Sequence, residues 1–325
     1  PWTHKQIYAS DKVDTLVTTY RSATHRVTVT GTDVVASGRD VLARHFKVTV
    51  DAGTTYDEVA LVFYENLAPN LEKSRFIPND AYTMDHKRDY ALVYDEESRA
   101  LVHLSVKDRP AALLKPLQTA APDAAAVKAF LGSLAGQQGT YWVMGADKAK
   151  PVGYPCGQDS VDGTPGTGPT DAFTDAGDGA LSGSRAATLN ATGALRFDLS
   201  ASGGEVAVLL AAGGTLKAAR DALSAARADG FAKLRAGAEK ACTGWLAGAL
   251  LPDTTDKDWL RVARRALLTI RTATDAGTGA VVASVSNQPP YNLDWPRDGA
   301  FINHALDVAG KLAAVTRHNK LYARW

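Results

Sequence analysis

The stretch 287-NQPPYNLDWPRDGAFINHAL-306 gathers an unusual set of side chains where a proline-broken loop runs into a helical pattern. Tyr291, Trp295, Arg297 and Asp298 bring together a phenol, an indole, a guanidinium and a carboxylate. A pyranose presents an apolar face of C–H groups and a rim of hydroxyls that both donate and accept. Its pockets therefore combine a flat aromatic wall with convergent charged partners. Trp295 and Tyr291 can supply the wall, Asp298 can accept from two neighbouring hydroxyls, and Arg297 can donate a fixed fork of hydrogen bonds. Charge-assisted bonds of this kind contribute roughly 1.5–3 kcal/mol each, enough to hold one ring in one orientation. An architectural reading of the same residues stays open beside this one. Asp298 before Gly299 can cap a helix, Pro296 suits a first turn, Arg297 with Asp294 can form a surface ion pair, and Trp295 and Tyr291 can be core aromatics.

The elements that must position this loop come in two blocks. From Trp2 to about Leu216 the chain reads mostly as strands. RVTVT (26–30), VLARHFKVTVD (41–51), YDEVALVFYEN (56–66), DYALVYDEES (89–98) and ALVHLSVK (100–107) alternate apolar and polar residues between turn formers, as do YWVMGA (141–146), ALRFDLSASG (194–203) and EVAVLLAAGG (205–214). This rhythm predicts an antiparallel β-sandwich, interrupted by one helix over 122–137 and a long Gly, Asp and Pro-rich loop over 153–185. Residues 216–251 carry helical spacing broken at Gly230 and Gly244, which predicts two or three connecting helices.

A break at LPDTTD (251–256) follows, with Thr255 and Asp258 spaced as a capping box. The helix they introduce places Trp259, Val262, Ala263, Ala266, Leu267 and Ile270 on one face. Arg261, Arg264, Arg265 and Arg271 read as a solvated face opposite. A final helix is expected from about Gly299 to His318, with Ile302, Ala305, Leu306, Ala309 and Leu312 turned toward a partner. Two such helices call for more apolar neighbours than the 325 residues offer, so the expectation is a helical domain completed elsewhere. The resulting division is a sandwich over 1–216, a helical linker over 217–252 and the opening of a helical barrel over 253–325.

Composition narrows the partners. A content of 45% hydrophobic and 22% charged residues is that of a globular protein, and a formal net charge of +1 gives no electrostatic case for nucleic acid or an anionic membrane. No apolar run approaches the ~20 residues that span a bilayer, and the N-terminal residues given show no charged, apolar, small-residue signal pattern. Cys156 and Cys242 form no metal-spaced pair, though they can bond to each other in an oxidising compartment. No cofactor is expected. Asp171, Asp175 and Asp178 could face calcium, but the loop lacks the glutamate of an EF-hand. His86 with Asp85 and Asp89 has no third group to make an acid/base centre and reads as a polar strand edge.

The segment 259–310 resembles the start of the catalytic domain in glycoside hydrolase family 15, the glucoamylases and glucodextranases, with GAVVAS at 279–284 and WPRD at 295–298 in the family's order. RDVLARHFKV (39–48) and LVFYENLAP (61–69) are similar to strands of the N-terminal β-supersandwich that bacterial members carry before a helical linker and an (α/α)6 barrel. The resemblance implies that Arg297 and Asp298 bind hydroxyls of the terminal glucose and that Trp295 and Tyr291 line its pocket. It implies an inverting exo-acting hydrolase that releases glucose from the nonreducing ends of an α-glucan or oligosaccharide, secreted or periplasmic.

Inversion needs a protonated carboxyl and a second carboxylate roughly 6.5–9.5 Å apart. The family's two catalytic glutamates lie on later barrel loops, so no catalytic residue is expected in this chain and the remainder of the barrel becomes a partner. Glu65, Glu72, Glu96, Glu97, Glu205 and Glu239 are read as surface or strand-end residues. Two alternatives remain, a noncatalytic carbohydrate-binding or structural sandwich, and a disaccharide phosphorylase of related plan.

Overall fold

The computed structural model describes residues 1–67, 89–106, 111–117, 121–159, 169–283 and 293–324. Tyr291, His86, Asp85, Glu72 and Ser284, all singled out by the sequence, lie outside the described residues. The chain forms two compact units. One is Pro1–Ile7 with Leu16–Arg235, and the other is Tyr8–Thr15 with Ala236–Trp325.

The first unit is a sandwich of two sheets. The larger has nine strands in the order β1-β2-β3-β4-β12-β8-β7-β6-β10, and the smaller has three in the order β5-β11-β9. These are β1 (Trp2–Tyr8), β2 (Leu16–Ser22), β3 (Val27–Val35), β4 (Val41–Val50), β5 (Val59–Glu65), β6 (Asp89–Asp95), β7 (Ala100–Val106), β8 (Gly139–Ala146), β9 (Cys156–Gln158), β10 (Ala186–Leu189), β11 (Ala191–Leu199) and β12 (Gly203–Gly213). The period-2 runs become antiparallel ladders, such as Leu42 opposite Leu210 and Leu195 opposite Phe63. The predicted 153–185 loop in fact holds β9 and a short helix, α2 (Ala172–Asp175). Hairpins with hydrophobic alternation were legible, whereas three-residue β9 is too short to show a period.

Burial explains the stacking. Phe46, Val206, Val208, Leu210, Met144 and Leu101 from the large sheet pack with Leu195 and Phe197 from the small one. The opposite face of the large sheet meets α3 (Leu216–Leu246). His45 stacks on Phe231 with ring centroids 5.0 Å apart, and Arg227 donates to the carbonyls of Ala146 and Ser98 at 2.8 and 2.7 Å. Glu65, expected at the surface, instead lies 3% exposed between the sheets, 2.5 Å from Nε2 of His103. Its strand-end position was right, but strand β7 brings a buried imidazole to meet it. Helix α1 (Ala124–Ser133) starts at Asp123, whose side chain accepts from Ala126 N–H.

Helix α3 changes direction at Gly230 (φ 73°, ψ 160°), while Gly244, a predicted break, continues as helix. Only Gly230 adopts the left-handed φ that interrupts the hydrogen-bond ladder. In the second unit, α4 (Lys257–Thr272) is capped by Asp256, which accepts from the N–H groups of Asp258 and Trp259, rather than by the Thr255 and Asp258 box. A carboxylate one residue later reaches the same orphan donors.

The arginine face is not merely solvated. Arg264 pairs with Asp11, Arg265 reaches Asp14 at 2.8 Å and the Val13 carbonyl at 2.7 Å, and Arg261 alone stays in an exposed pair with Asp258. The guanidinium of Arg265 also covers the Tyr8 ring at 3.5 Å, so these side chains fasten the Tyr8–Thr15 segment to α4. Trp259 and Val262, expected on the packed face, are 66% and 58% exposed, and the buried positions are Leu267 and Leu268. The expected final helix is two, α5 (Pro296–Val308) and α6 (Leu312–Tyr322), separated at Gly310 with φ 72°.

Cys156 and Cys242 are both buried and free, and they belong to different units, so the disulfide considered from the sequence is not formed. Burial holds both thiols above their usual pKa, Cys156 strongly.

At the β11–β12 turn Gly203 has φ 105°, and a Cβ there would stand 2.1 Å from the Val48 carbonyl oxygen. Gly203→Ala is expected to destabilise the first unit by roughly 2–4 kcal/mol, from backbone strain and overpacking together. Urea unfolding followed by far-UV circular dichroism measures this, and a midpoint equal to that of wild type would contradict the packing described.

Candidate functional site

The loop that precedes α5 is built from short-range bonds. After α4 the chain turns tightly. Asp275 Oδ1 accepts from Thr278 N–H and Oγ1 at 2.6 Å each, bonds that hold its carboxyl below the usual range. Thr274 then bridges Val281, and Ala283 N–H donates to the Leu293 carbonyl at 3.0 Å. In the described part of GAVVAS, residues 279–283, the strand-like stretch is thus a single bridge with one further backbone bond to Leu293.

Trp295 is the N-cap residue of α5, with extended φ −102° and ψ 124°, and Pro296 occupies the first turn as its fixed φ favours. Trp295 makes no side-chain capping bond, so Asp298 is not the cap that the architectural reading allowed. It is a first-turn carboxylate, placed where the helix N-terminus favours negative charge.

The four predicted site residues fare differently. Arg297 and Asp298 are brought together, with 3.4 Å between Nη2 and Oδ2. Asp298 stands three residues after Trp295, and therefore one helical turn on along the same face. Trp295 is 36% exposed, the Arg297 side chain 83% and the Asp298 side chain 34%. Indole, guanidinium and carboxylate are therefore reachable from solvent at one helix start, rather than plugged into a core. The Arg297–Asp294 surface pair considered from the sequence does not form, because Asp294 turns inward.

Asp294 is the residue whose role sequence reasoning missed. Its side chain is 5% exposed and accepts from Val281 N–H and His318 Nε2 at 2.9 Å, and from the Tyr322 hydroxyl at 2.5 Å. His318, 1% exposed in its side chain, places Nδ1 2.9 Å from Asn303 Oδ1. Burial, then the bond to Asp294, holds the Tyr322 phenol well above its ordinary pKa, so it remains a donor throughout the neutral range. The available signal was the i, i+4 spacing of His318 and Tyr322, which puts both on one helix face.

The other carboxylates that the sequence offered to calcium make local bonds. Asp171 caps α2 through Thr174 N–H, Asp178 accepts from Ala180 N–H and Asp175 from Ser182 N–H, so these carboxylates serve turns. Among the described residues no group of three or more His, Cys, Asp or Glu is arranged to hold a metal ion. A cavity of about 150 Å³ between the two sheets is lined by apolar Leu42, Phe63, Leu67, Met144, Val208 and Leu210 together with Arg44, Tyr64 and Glu65. No described helix is long and apolar enough to cross a membrane.

No protein-family model matches the sequence, and neither does any curated protein. Among solved structures, the chain is similar to a bacterial glucoamylase crystallised with acarbose, at 13% identity and a TM-score of 0.66, over 99% of this chain and 41% of that one. It thus spans well under half the length of that glucoamylase. The likeness shows the fold, an antiparallel sandwich followed by helices, as the sequence predicted. A family GH92 α-mannosidase from Bacteroides thetaiotaomicron aligns with 85% of the chain and 30% of its own, at 14% identity and a TM-score of 0.43, too low to support an argument.

Gly299 gives the Asp294 network its room. A Cβ there would come 2.3 Å from the Tyr322 hydroxyl and 2.8 Å from His318 Cε1. Relief would require the phenol to leave Asp294. Gly299→Ala is therefore expected to cost about 1–3 kcal/mol in thermal or urea unfolding, whereas Arg297→Ala stays within about 0.5 kcal/mol of wild type.

Proposed function

We propose that this chain is the N-terminal part of an inverting, exo-acting α-glucan hydrolase of the glucoamylase or glucodextranase type. In this reading the sandwich is the supersandwich domain, α3 runs through the linker, and α4 to α6 open an (α/α)6 barrel whose remainder lies outside the 325 residues. Supporting it most directly is a fold shared over 99% of the chain with a glucoamylase whose crystal contains acarbose. The WPRD turn, where the family resemblance places glucose-binding residues, stands open at the start of α5.

The division of labour follows from the chemistry. Asp298 would accept from a pair of adjacent hydroxyls and Arg297 would donate to a ring or hydroxyl oxygen. The Trp295 indole would cover the C–H face of the terminal glucose, with Tyr291 beside it. The contact between Arg297 Nη2 and Asp298 Oδ2 at 3.4 Å is loose, so a hydroxyl can insert between guanidinium and carboxylate without breaking a strong pair. An ionised acceptor binds hydroxyls more strongly than a neutral one. None of these side chains transfers the proton. The general acid and the base that activates water belong, in this proposal, to two glutamates on later barrel loops.

The intact protein containing this chain should release β-glucose from maltooligosaccharides or isomaltooligosaccharides, the anomer that single displacement gives. Product of α configuration or turnover that requires phosphate would overturn the proposal, the second outcome in favour of a phosphorylase. Arg297→Ala should lower kcat/KM roughly tenfold to a hundredfold, the equivalent of one charge-assisted hydrogen bond. Its melting temperature should hold, because the side chain is 83% exposed. A normal kcat/KM would remove Arg297 from the site.

A further inference from the structure

Helix α5 begins without a capping side chain. Trp295 occupies the N-cap position and makes no side-chain capping bond. The residue immediately before it is fixed from three directions. Asp294 takes the Val281 N–H from the returning loop, and His318 Nε2 and the Tyr322 hydroxyl from α6. The two α6 side chains stack on each other with ring centroids 4.6 Å apart. His318 is held in turn by Asn303 of α5, whose Nδ2 donates to Asn319 Oδ1 at 2.9 Å. A nearly buried carboxylate surrounded by three donors tolerates little displacement, because moving it strands a charge away from water.

We propose that His318 and Tyr322 are positioning residues for the Trp295–Asp298 turn, acting on it through Asp294. The functional consequence rests on the sugar-site reading above, while the positional claim does not. Within that reading, α6 contributes no atom to glucose. It sets the angle at which indole and carboxylate meet the ring, and a misplacement of about 1 Å can cost a large factor in rate.

The test uses the intact protein labelled with 5-fluorotryptophan, its Trp295 resonance assigned as the one lost in Trp295→Phe. Tyr322→Phe removes a single hydroxyl, and His318→Leu removes the donor to the Oδ2 side of Asp294. His318→Gln keeps a donor there. The Trp295 resonance should shift or broaden in Tyr322→Phe and His318→Leu and return toward wild type in His318→Gln. On maltotriose the first two should lose about tenfold in kcat/KM, mainly through KM, at temperatures well below their melting transitions.

A Trp295 signal unmoved in folded Tyr322→Phe and His318→Leu overturns the proposal. Should His318→Leu fail to fold, Tyr322→Phe decides alone. A moved Trp295 signal in a protein whose wild type neither binds nor cleaves maltotriose or isomaltotriose would uphold the positioning role and discard the sugar reading.

Discussion

The first unit depends on strand β12 being buried on both faces. Val206, Val208 and Leu210 point to the small sheet, while Ala207, Leu209 and Ala211 are buried on the other side. The strand is hydrogen-bonded between β4 and β8, so its backbone has no edge to leave unpaired. A strand this apolar, EVAVLLAA, cannot face water on either side, and it requires both a second sheet and a helix to cover it. On α3, Ala219, Leu223 and Ala226 are buried as well. The three large aliphatics fill the wider space between sheets.

The second unit shows a different constraint, in which charge organises what apolar burial alone would leave loose. Its fully apolar contacts are few. Leu267, Leu306 and Ala309 form one cluster with half-buried Trp245 and Leu251 around them, and Val13, Cys242 and Leu268 form another. Around these sit polar bonds made to buried or half-buried partners, Trp245 Nε1 to the Leu267 carbonyl at 3.0 Å and Arg265 to Asp14 and Val13. Meanwhile Trp259, Phe301, Val308 and Leu312 are all more than half exposed. Directional bonds specify how the helices meet even where little surface is removed from water.

How much of this was legible follows from the range of each interaction. The strands β3, β4, β6 and β7 were readable because their alternation and bounding turn residues lie close together in sequence, and so was Pro296 as a helix-entry residue, whereas Asp298, read as a possible cap, is a first-turn carboxylate behind the N-cap Trp295. The capping of α4 was misread by one residue, since Thr255 and Asp256 can both reach the same N–H groups and only the backbone trajectory chooses between them. Partners drawn from afar left no local mark. Glu65 meets His103 across two sheets, and Arg264 and Arg265 meet Asp11 and Asp14 some 250 residues earlier in the chain. An arginine stripe looks the same in sequence whether water or a distant carboxylate answers it.

Asp294 illustrates why the groups that hold a turn are harder to read from sequence than the groups the turn displays. Trp295, Arg297 and Asp298 share one helix start, so their types and spacing are visible together. Groups that hold the loop need only be near it in space, and His318 and Tyr322 lie 24 and 28 residues further on. Their chemistry is nevertheless constrained. A carboxylate turned away from water at the start of a helix must find donors, and the returning loop can give one N–H at Val281. The rest has to come from an adjacent element. An imidazole and a phenol four residues apart on α6 meet that demand on one face, and Gly299 is the residue small enough to let them through. At this turn the N-cap residue Trp295 makes no side-chain capping bond, and the residue before it, Asp294, anchors the chain through three donors.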